Sequence, residues 1–577
     1  MPESFHIQRR GLLGSARLLG ALLAIGCGGA ETGGAGGGTG GGGGGTSACV
    51  GTPVVAAKRV VRLSEDQLWN AYTSLFGPSA AATITRDEQP PSLAEREFPP
   101  ISGDIGVSDG LFGKTDRLAQ SAMSYVSEHA ATLTPCGATP MDKACVQQYL
   151  LSFAEKAFRH PLSAEEQGAI TGQLWTEMAA AGASVAEALG YGVQAVLSSP
   201  SFLYRTELGA NVAADGPLTP YELATAISLF LTDRPPDGEL LAAAASNALA
   251  TPDQVRAQAT RLLEIPEARA NLESAIIKYF SLTKARGVIL NAEATPGLTV
   301  TGGLQASIFH EGELFMKNLL WSGPLGALLT SRQTWTSAPI ATQIYGVAAP
   351  SQVDADGFGL VALPDDRAGL LTLSTFLLAG ARSTGSSPVA RGLAVNGSVV
   401  CQVNPPFPEG DPDVAAAITG LADKSELEKA EYRAAASRCA VCHRQFDAFG
   451  MVLEPYDAVG RFRTADLARR PIDARWTTTM LPQSVGGAAV TSAAETARAL
   501  ASSGALDRCM AMNFINYALT EVSRGGANNT ALDRAPQTGS CAVQGVIDNF
   551  AATDRSFASL MREIAASETL VLRSRGQ

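Results

Sequence analysis

The sequence predicts a mainly α-helical protein built from several domains. Three observations lead to this fold class: a helix-start signal recurs along the chain, strand signals are short and scattered, and the chain is long. Its 577 residues exceed what one hydrophobic core usually supports, so we expect several domains. Hydrophobic residues make up 46% of the chain, which is ordinary for a protein that buries a core.

The helix-start signal is a Ser or Thr followed three residues later by Glu or Gln, a pattern typical of a capping box. Ser64 and Gln67 form the first example, and Leu63 is placed to contact Leu68 as a hydrophobic staple. Gly77-Pro78 is expected to end this helix. Further examples are Ser163 with Glu166, Thr219 with Glu222, Thr251 with Gln254, and Ser492 with Glu495. They follow no fixed period, so the sequence does not predict a solenoid.

The amino terminus has the layout of a bacterial signal peptide. Two arginines, Arg9 and Arg10, precede a short apolar stretch that is too short to span a bilayer. Small residues then precede Cys27, as in a lipobox, so we predict that Cys27 is lipidated; an ordinary signal peptide is the alternative. Residues 28–50 are rich in glycine and predict a flexible tether. We therefore expect an exported lipoprotein anchored to a membrane, on the periplasmic or cell-surface side of the outer membrane.

The charge distribution argues against a nucleic-acid partner. The net charge is −11, and lysines and arginines are dispersed along the chain. Binding to a phosphate backbone needs a basic surface, and the sequence predicts none.

One motif points to a cofactor. Cys439-Ala440-Val441-Cys442-His443 has the CxxCH spacing of c-type haem attachment. Two thiols at this spacing reach the two vinyl groups of a haem, and the adjacent imidazole supplies an axial ligand to the iron. The motif therefore predicts one covalently bound haem c. A redox disulfide, a zinc site and a chance match are the alternatives, although no βαβ pattern and no second cysteine pair accompany the motif.

The other cysteines predict disulfides. Nine cysteines less Cys27 and the two in the motif leave six, an even number in an exported chain. Spacing does not determine connectivity, but short separations favour two pairs. The predicted pairs are Cys136 with Cys145 and Cys509 with Cys541, which leaves Cys49 with Cys401.

Residues 439–463 resemble the planctomycete-type cytochrome c domain, in which CxxCH is followed by Asp-Pro-x-Gly and then by Leu-Glu-x-aromatic-Asp-Ala-x-Gly-Arg-x-Arg. Ala448 stands where the family has proline, and Thr232-Asp233 replaces a more typical Trp-Ser. The resemblance implies a haem and a helical architecture, but no particular reaction. Other segments that resemble this family or its companion domains of unknown function are 63–77, 158–163, 198–207, 218–237, 367–372, 387–392 and 508–519.

Several further residues are candidates for the haem site. Met480 follows His443 by 37 residues and is a candidate second axial ligand; another residue or an open position are the alternatives. Arg461 and Arg463 are candidate partners of the haem propionates, with ordinary salt bridges as the alternative. For Glu454 and Asp457 we expect a local hydrogen bond or a cap; orienting His443 or acting on a substrate are the alternatives. A solvated helix face explains the carboxylates beside His310 as well as a functional role does.

These observations give a predicted organisation and function. We expect electron transfer outside the cytoplasm with a redox partner protein. The alternatives are a haem-dependent oxidative enzyme whose substrate is held by the helical modules, and a surface binding protein with a structural haem. The predicted parts are a signal peptide with lipobox (1–27), a tether (28–50), three helical modules (51–133, 134–212 and 213–349), a cytochrome c-like haem module (350–475) and a C-terminal helical module (476–577).

Overall fold

The computed structural model describes residues 56–86, 88, 109–137, 141–402, 419–421, 423–473, 485, 487, 490–519 and 541–575. Helices dominate these residues, as the sequence predicts. Residues 49–577 form one compact unit. The predicted signal peptide, Cys27, Cys49, the tether and Met480 lie outside the described residues.

The first group of helices surrounds its own hydrophobic core. Leu63, Leu68, Leu150, Leu189 and Phe202 are among the buried side chains of this core. A π-helical turn, Ala169–Gln173, interrupts the group. The helices are Glu65–Phe76, Pro78–Ile84, Asp109–Leu133, Lys143–Phe158, Ala164–Gly168, Leu174–Ala180, Val185–Leu197 and Pro200–Leu203.

Ala338–Ile340 and Glu426–Ala435 pack into smaller clusters, and the other remaining helices share a second, larger core. Its buried residues extend along the chain from Leu218 to Leu570, so side chains from the last three predicted modules contribute to one core. The middle helices are Pro220–Thr232, Gly238–Ala245, Pro252–Leu263, Pro266–Tyr279, Gly302–Leu319, Ala327–Thr330, Ala338–Ile340, Ser374–Ala379 and Pro388–Val395. The later helices are Glu426–Ala435, Ser437–Met451, Ala493–Ser502, Ala505–Leu519, Cys541–Ala551, Phe557–Ala565 and Glu568–Val571. Short 3-10 and π-helical turns are Leu282–Arg286, Ala292–Ala294, Ala341–Tyr345, Leu370–Thr372 and Asn396–Val400.

Six short strands form three antiparallel pairs. The strands are β1 (Arg59–Arg62), β2 (Tyr204–Glu207), β3 (Gly216–Pro217), β4 (Gln333–Ser337), β5 (Phe358–Ala362) and β6 (Leu572–Arg573). In the pairs β1–β2, β3–β6 and β4–β5, Arg59 lies opposite Glu207, Gly216 opposite Arg573 and Gln333 opposite Ala362. The first two pairs join the segment 204–217 to both ends of the described chain.

The capping signals place most helix starts correctly. Four of the predicted boxes have both reciprocal hydrogen bonds, at Ser64, Ser163, Thr219 and Thr251. At Ser492 only half of the box forms, because the Glu495 carboxylate accepts from the backbone N–H of Thr491 instead. Two further complete capping boxes lie at Ser184 and Ser425.

One predicted disulfide is confirmed and one is wrong. Cys136 and Cys145 are bonded, as the short separation predicts. Cys509 is bonded to Cys401 rather than to Cys541, with a Cα–Cα distance of 5.2 Å. The turn Asn396–Val400, which Cys401 directly follows, packs against the helix that carries Cys509. Cys401 and Cys509 therefore meet although they are 108 positions apart in the sequence. This correction also removes the predicted pairing of Cys49 with Cys401.

None of the helices in the described segments is long and apolar enough to cross a bilayer.

Candidate functional site

The CxxCH motif lies on a helix that starts directly after another helix. Glu426–Ala435 begins at the capping box of Ser425, and Ala436 breaks the helix with extended backbone angles. The second helix, Ser437–Met451, which we call the CxxCH helix, then carries the motif in its first two turns. The preceding helix therefore ends directly before the helix that carries the motif.

Both cysteines of the motif have free thiols. Cys439 and Cys442 are partly buried, and Cys442 packs against the larger core. Burial raises the pKa of the Cys442 thiol, and the charge of Cys439 adds to the increase. The two sulfur atoms are not bonded to each other. Within the described ranges, no group of three or more His, Cys, Asp or Glu side chains is arranged to hold a metal ion.

His443 is held by a buried carboxylate. Its Nδ1 lies 3.0 Å from Oδ1 of Asp447, one helical turn further along the CxxCH helix. Asp447 is only 1% exposed, and its Oδ2 accepts a hydrogen bond of 2.9 Å from Nε of Arg433 on the preceding helix. The ring of Phe446 packs beside the imidazole, with the ring centroids 4.9 Å apart. Since Nδ1 is engaged, Nε2 is the nitrogen that remains for a metal.

This donor set fits a c-type haem. Two unbonded thiols stand three residues apart on one helix, and an imidazole with one nitrogen already fixed follows immediately. The second axial position is not resolved by this geometry, because Met480 lies outside the described residues. Met480 as a ligand stays a prediction.

A second helix crosses the CxxCH helix at very short range. In this crossing helix, Pro388–Val395, a Cβ on Gly392 would lie 2.3 Å from the carbonyl oxygen of Phe446. A Cβ on Gly450 would lie 1.9 Å from the carbonyl oxygen of Pro388. Only glycine permits backbones to approach this closely. The two glycines therefore fix the contact between the helices.

Arg391, on the same crossing helix, holds the carboxyl end of the CxxCH helix. Its side chain is fully buried, and burial lowers its pKa to about 10, so the guanidinium is charged at neutral pH. Nη1 donates to the carbonyl oxygens of Leu453 and Tyr456 at 2.9 and 2.7 Å, and Nη2 donates to that of Asp457. The carbonyls at a helix end lack partners within the helix, and Arg391 supplies donors immediately after that end.

Arg367 has a similar role in the next turn. Its Nη1 donates to the carbonyl oxygen of Thr372 at 2.9 Å, and its Nη2 donates to that of Gly460. The guanidinium lies between the rings of Tyr345 and Tyr456, 4.7 Å from each centroid. In the sequence, the segments around Arg367 and Arg391 are visible only through their resemblance to the family, and no local pattern marks either arginine as a support of the motif.

Arg461 and Arg463 are already paired with carboxylates. Arg461 Nε lies 2.7 Å from Oδ2 of Asp457, and Arg463 Nη2 contacts Glu454 and lies 2.7 Å from Oγ of Ser386. The structure thus has the salt bridges that are the alternative to propionate contacts, and contacts of these arginines to propionates stay a prediction. Asp457 makes the local hydrogen bond expected of it, accepting from the backbone N–H of Arg461, whereas Glu454 accepts from the hydroxyl of Ser386, which is distant in sequence. Burial raises the pKa of Glu454.

The expectation of a solvated helix face beside His310 is wrong for Glu311. Its carboxyl group is fully buried and accepts hydrogen bonds from Tyr345 Oη at 2.8 Å and from Thr334 Oγ1 at 3.3 Å. Burial raises its pKa to about 7. Glu313 does pair with His310, at 3.0 Å from Nδ1, on a more exposed part of the helix. The sequence pattern does not predict the burial of Glu311, because that burial depends on β4, which is distant in sequence.

Three family models match parts of the chain, and each is described as a protein of unknown function. They are PSD5 (DUF1595) at residues 145–207, PSD4 (DUF1592) at 218–347 and PSCyt3 (DUF1588) at 367–466. The last range includes the CxxCH motif and the arginines and glycines that support it. No curated protein and no solved structure matches the chain. In three successive stretches, the chain is therefore similar to the planctomycete cytochrome c-associated domains.

Proposed function

We propose that this protein is an exported, lipid-anchored, mono-haem c-type cytochrome that transfers electrons outside the cytoplasm. One observation carries the proposal: the CxxCH motif presents two free thiols, and its histidine has Nδ1 fixed by Asp447. The match of residues 367–466 to a domain named PSCyt3 agrees with a cytochrome-related role.

The cysteines and the histidine of the motif would have different roles. Cys439 and Cys442 would hold the haem through two thioether bonds, and His443 would ligate the iron through Nε2. A bound haem supplies a one-electron Fe(III)/Fe(II) couple. Arg391 and the glycine contact fix the CxxCH helix and would hold His443 in one position beside a bound haem. A rigid ligand suits electron transfer because little reorganisation accompanies it.

The remaining parts of the proposal concern the location and the partner. Lipidation at Cys27 would attach the mature chain to a membrane, and the glycine-rich segment 28–50 would hold the helical body away from the surface. With one haem and no second redox group proposed, the electron would come from and pass to separate redox partner proteins.

The decisive experiment is an absorption spectrum of the denatured protein. The full chain is produced in a host that matures c-type cytochromes, beside a Cys439→Ser/Cys442→Ser variant. Haem that stays with the denatured wild type and is absent from the variant supports the proposal. If the wild type carries no covalent haem while a control cytochrome matures in the same cells, the cytochrome function is excluded.

The second axial ligand is tested by a Met480→Ala variant. Thioether ligation produces a weak charge-transfer band near the red end of the ferric spectrum, and it raises the reduction potential. We expect both features to be lost in Met480→Ala and kept in Met451→Ala, in which a buried methionine of the CxxCH helix is replaced. If the band is unchanged in Met480→Ala, a residue other than Met480 is the second axial ligand.

A further inference from the structure

The carboxylate of Asp447 contacts two side chains at once. Oδ1 lies 3.0 Å from Nδ1 of His443, and Oδ2 lies 2.9 Å from Nε of Arg433. The three residues form a chain of hydrogen bonds that runs from the preceding helix to the histidine of the motif.

This arrangement pairs the Asp447 carboxylate with Arg433 and orients it. The side chain is 1% exposed, and Arg433 beside it is 13% exposed, so water contributes little to solvating the carboxylate. A buried carboxylate is stable only when it is paired and hydrogen-bonded. Arg433 provides the pairing, and its bond to Oδ2 leaves Oδ1 directed at the imidazole.

The carboxylate also determines which nitrogen of the imidazole carries the proton. A charged carboxylate only accepts hydrogen bonds, so Nδ1 must be the donor and carry the hydrogen. Nε2 then presents its lone pair. A hydrogen bond from Nδ1–H to an anionic acceptor makes the imidazole a stronger electron donor through Nε2.

We propose that Asp447 is a positioning residue that fixes the Nδ1–H tautomer of His443 and lowers the reduction potential of the haem. This inference rests on the proposed function. Ferric iron needs more electron donation than ferrous iron, so a stronger donor stabilises the ferric state selectively. The spacing of four residues between His443 and Asp447 places both side chains on one helix face and makes the contact possible.

The test compares reduction potentials of the haem-loaded full chain. Asp447→Asn retains the size of the side chain and replaces the anionic acceptor with a neutral one. Glu431→Gln is the matched control, because Glu431 is exposed on the preceding helix and the same charge is removed. At a fixed solution potential we expect the ferrous-to-ferric ratio to rise about tenfold in Asp447→Asn, a shift of about 59 mV for a one-electron couple. In Glu431→Gln the ratio should change less than twofold.

The outcomes separate this inference from the function on which it rests. If wild type and Asp447→Asn both carry covalent haem and have equal reduction potentials, the proposed role of Asp447 is overturned and the cytochrome function stays intact. Wild-type protein without covalent haem would overturn both.

A second measurement covers the case in which Asp447→Asn does not fold or does not acquire haem. In the full-length Cys439→Ser/Cys442→Ser variant, the ¹⁵N chemical shifts of labelled histidine report the tautomer of His443. We expect the Nδ1–H form in this chain. A predominant Nε2–H form would contradict the inference without any reference to haem.

Discussion

At the scale of single residues, buried charged groups support the motif. Arg391, Arg367 and Asp447 each make several hydrogen bonds to groups near the CxxCH helix or the turn after it. Arginine suits this role because its planar guanidinium offers five donors in fixed directions. None of these three residues contacts the two thiols; they act by holding the backbone and the imidazole.

Glu311 gives a prediction of pH-dependent stability. Its pKa is raised from 4.5 to about 7 by burial, so the folded protein holds this proton more tightly than the unfolded chain does. The stabilisation that protonated Glu311 contributes to the folded protein is fully present below about pH 4 and is lost as the pH rises to about 7. We expect Glu311→Gln to remove this loss, on the order of 3 kcal/mol in the free energy of unfolding.

Urea denaturation of wild type and Glu311→Gln at pH 5 and pH 8 provides the measurement. The exposed Glu128 supplies a control, since Glu128→Gln should follow the wild type at both pH values. Equal pH dependence in all three proteins would show that Glu311 titrates normally.

At the scale of helices, the contact between the crossing helix and the CxxCH helix positions the motif. Gly392 and Gly450 allow the two backbones to touch, and Arg391 adds donors at the same contact. The resemblance of residues 387–392 to the cytochrome family thus acquires a physical explanation. The segment lies distant from the motif in sequence but against it in space.

Substitution of Gly450 tests this contact. Because an added methyl group would meet the backbone oxygen of Pro388 at 1.9 Å, Gly450→Ala must force the helices apart. We expect a loss of about 1–3 kcal/mol in the free energy of unfolding, together with a lower yield of covalent haem.

Gly397→Ala is the matched control, since an added Cβ there would have no heavy atom within 4 Å. Thermal unfolding followed by circular dichroism measures the stability of each variant. Equal stability of Gly450→Ala and Gly397→Ala would mean that the helices are not packed as described.

At the scale of the whole molecule, residues distant in sequence are joined by salt bridges and by a disulfide bond. Glu207 is buried in contact with its strand neighbour Arg205 and with Arg59 and Arg573, which come from the two ends of the described chain. Burial alone would raise the pKa of Glu207, but the three arginines outweigh it and hold that pKa well below its usual range. These contacts and the two strand pairs beside them link the first and last elements of the body.

The Cys401–Cys509 disulfide is open to a direct test. Peptide mapping of unreduced protein should recover these two residues in one cross-linked peptide pair. The Cys401→Ser/Cys509→Ser variant should lose about 4 kcal/mol of stability, because the bond closes a loop of about 100 residues in the unfolded chain. Recovery of Cys509 joined to Cys541 would instead confirm the pair predicted from the sequence and contradict the Cys401–Cys509 bond.

The sequence by itself determined the features that depend on neighbouring residues. Helix starts at Ser64, Ser163, Thr219 and Thr251 were predictable because a capping box needs only contacts three residues apart. The CxxCH motif and the Cys136–Cys145 bond are local in the same sense. The half-formed box at Ser492 shows the limit of such patterns, since a neighbouring residue competed for the same carboxylate.

Only the tertiary structure decided which distant residues meet. It paired Cys401 with Cys509, buried Glu311, and brought Arg391 and Gly392 against the CxxCH helix. These contacts join segments separated by tens to hundreds of residues, and no spacing rule encodes them. They arise because the helices must bury their apolar faces together, and the resulting packing selects the partners of the buried polar groups.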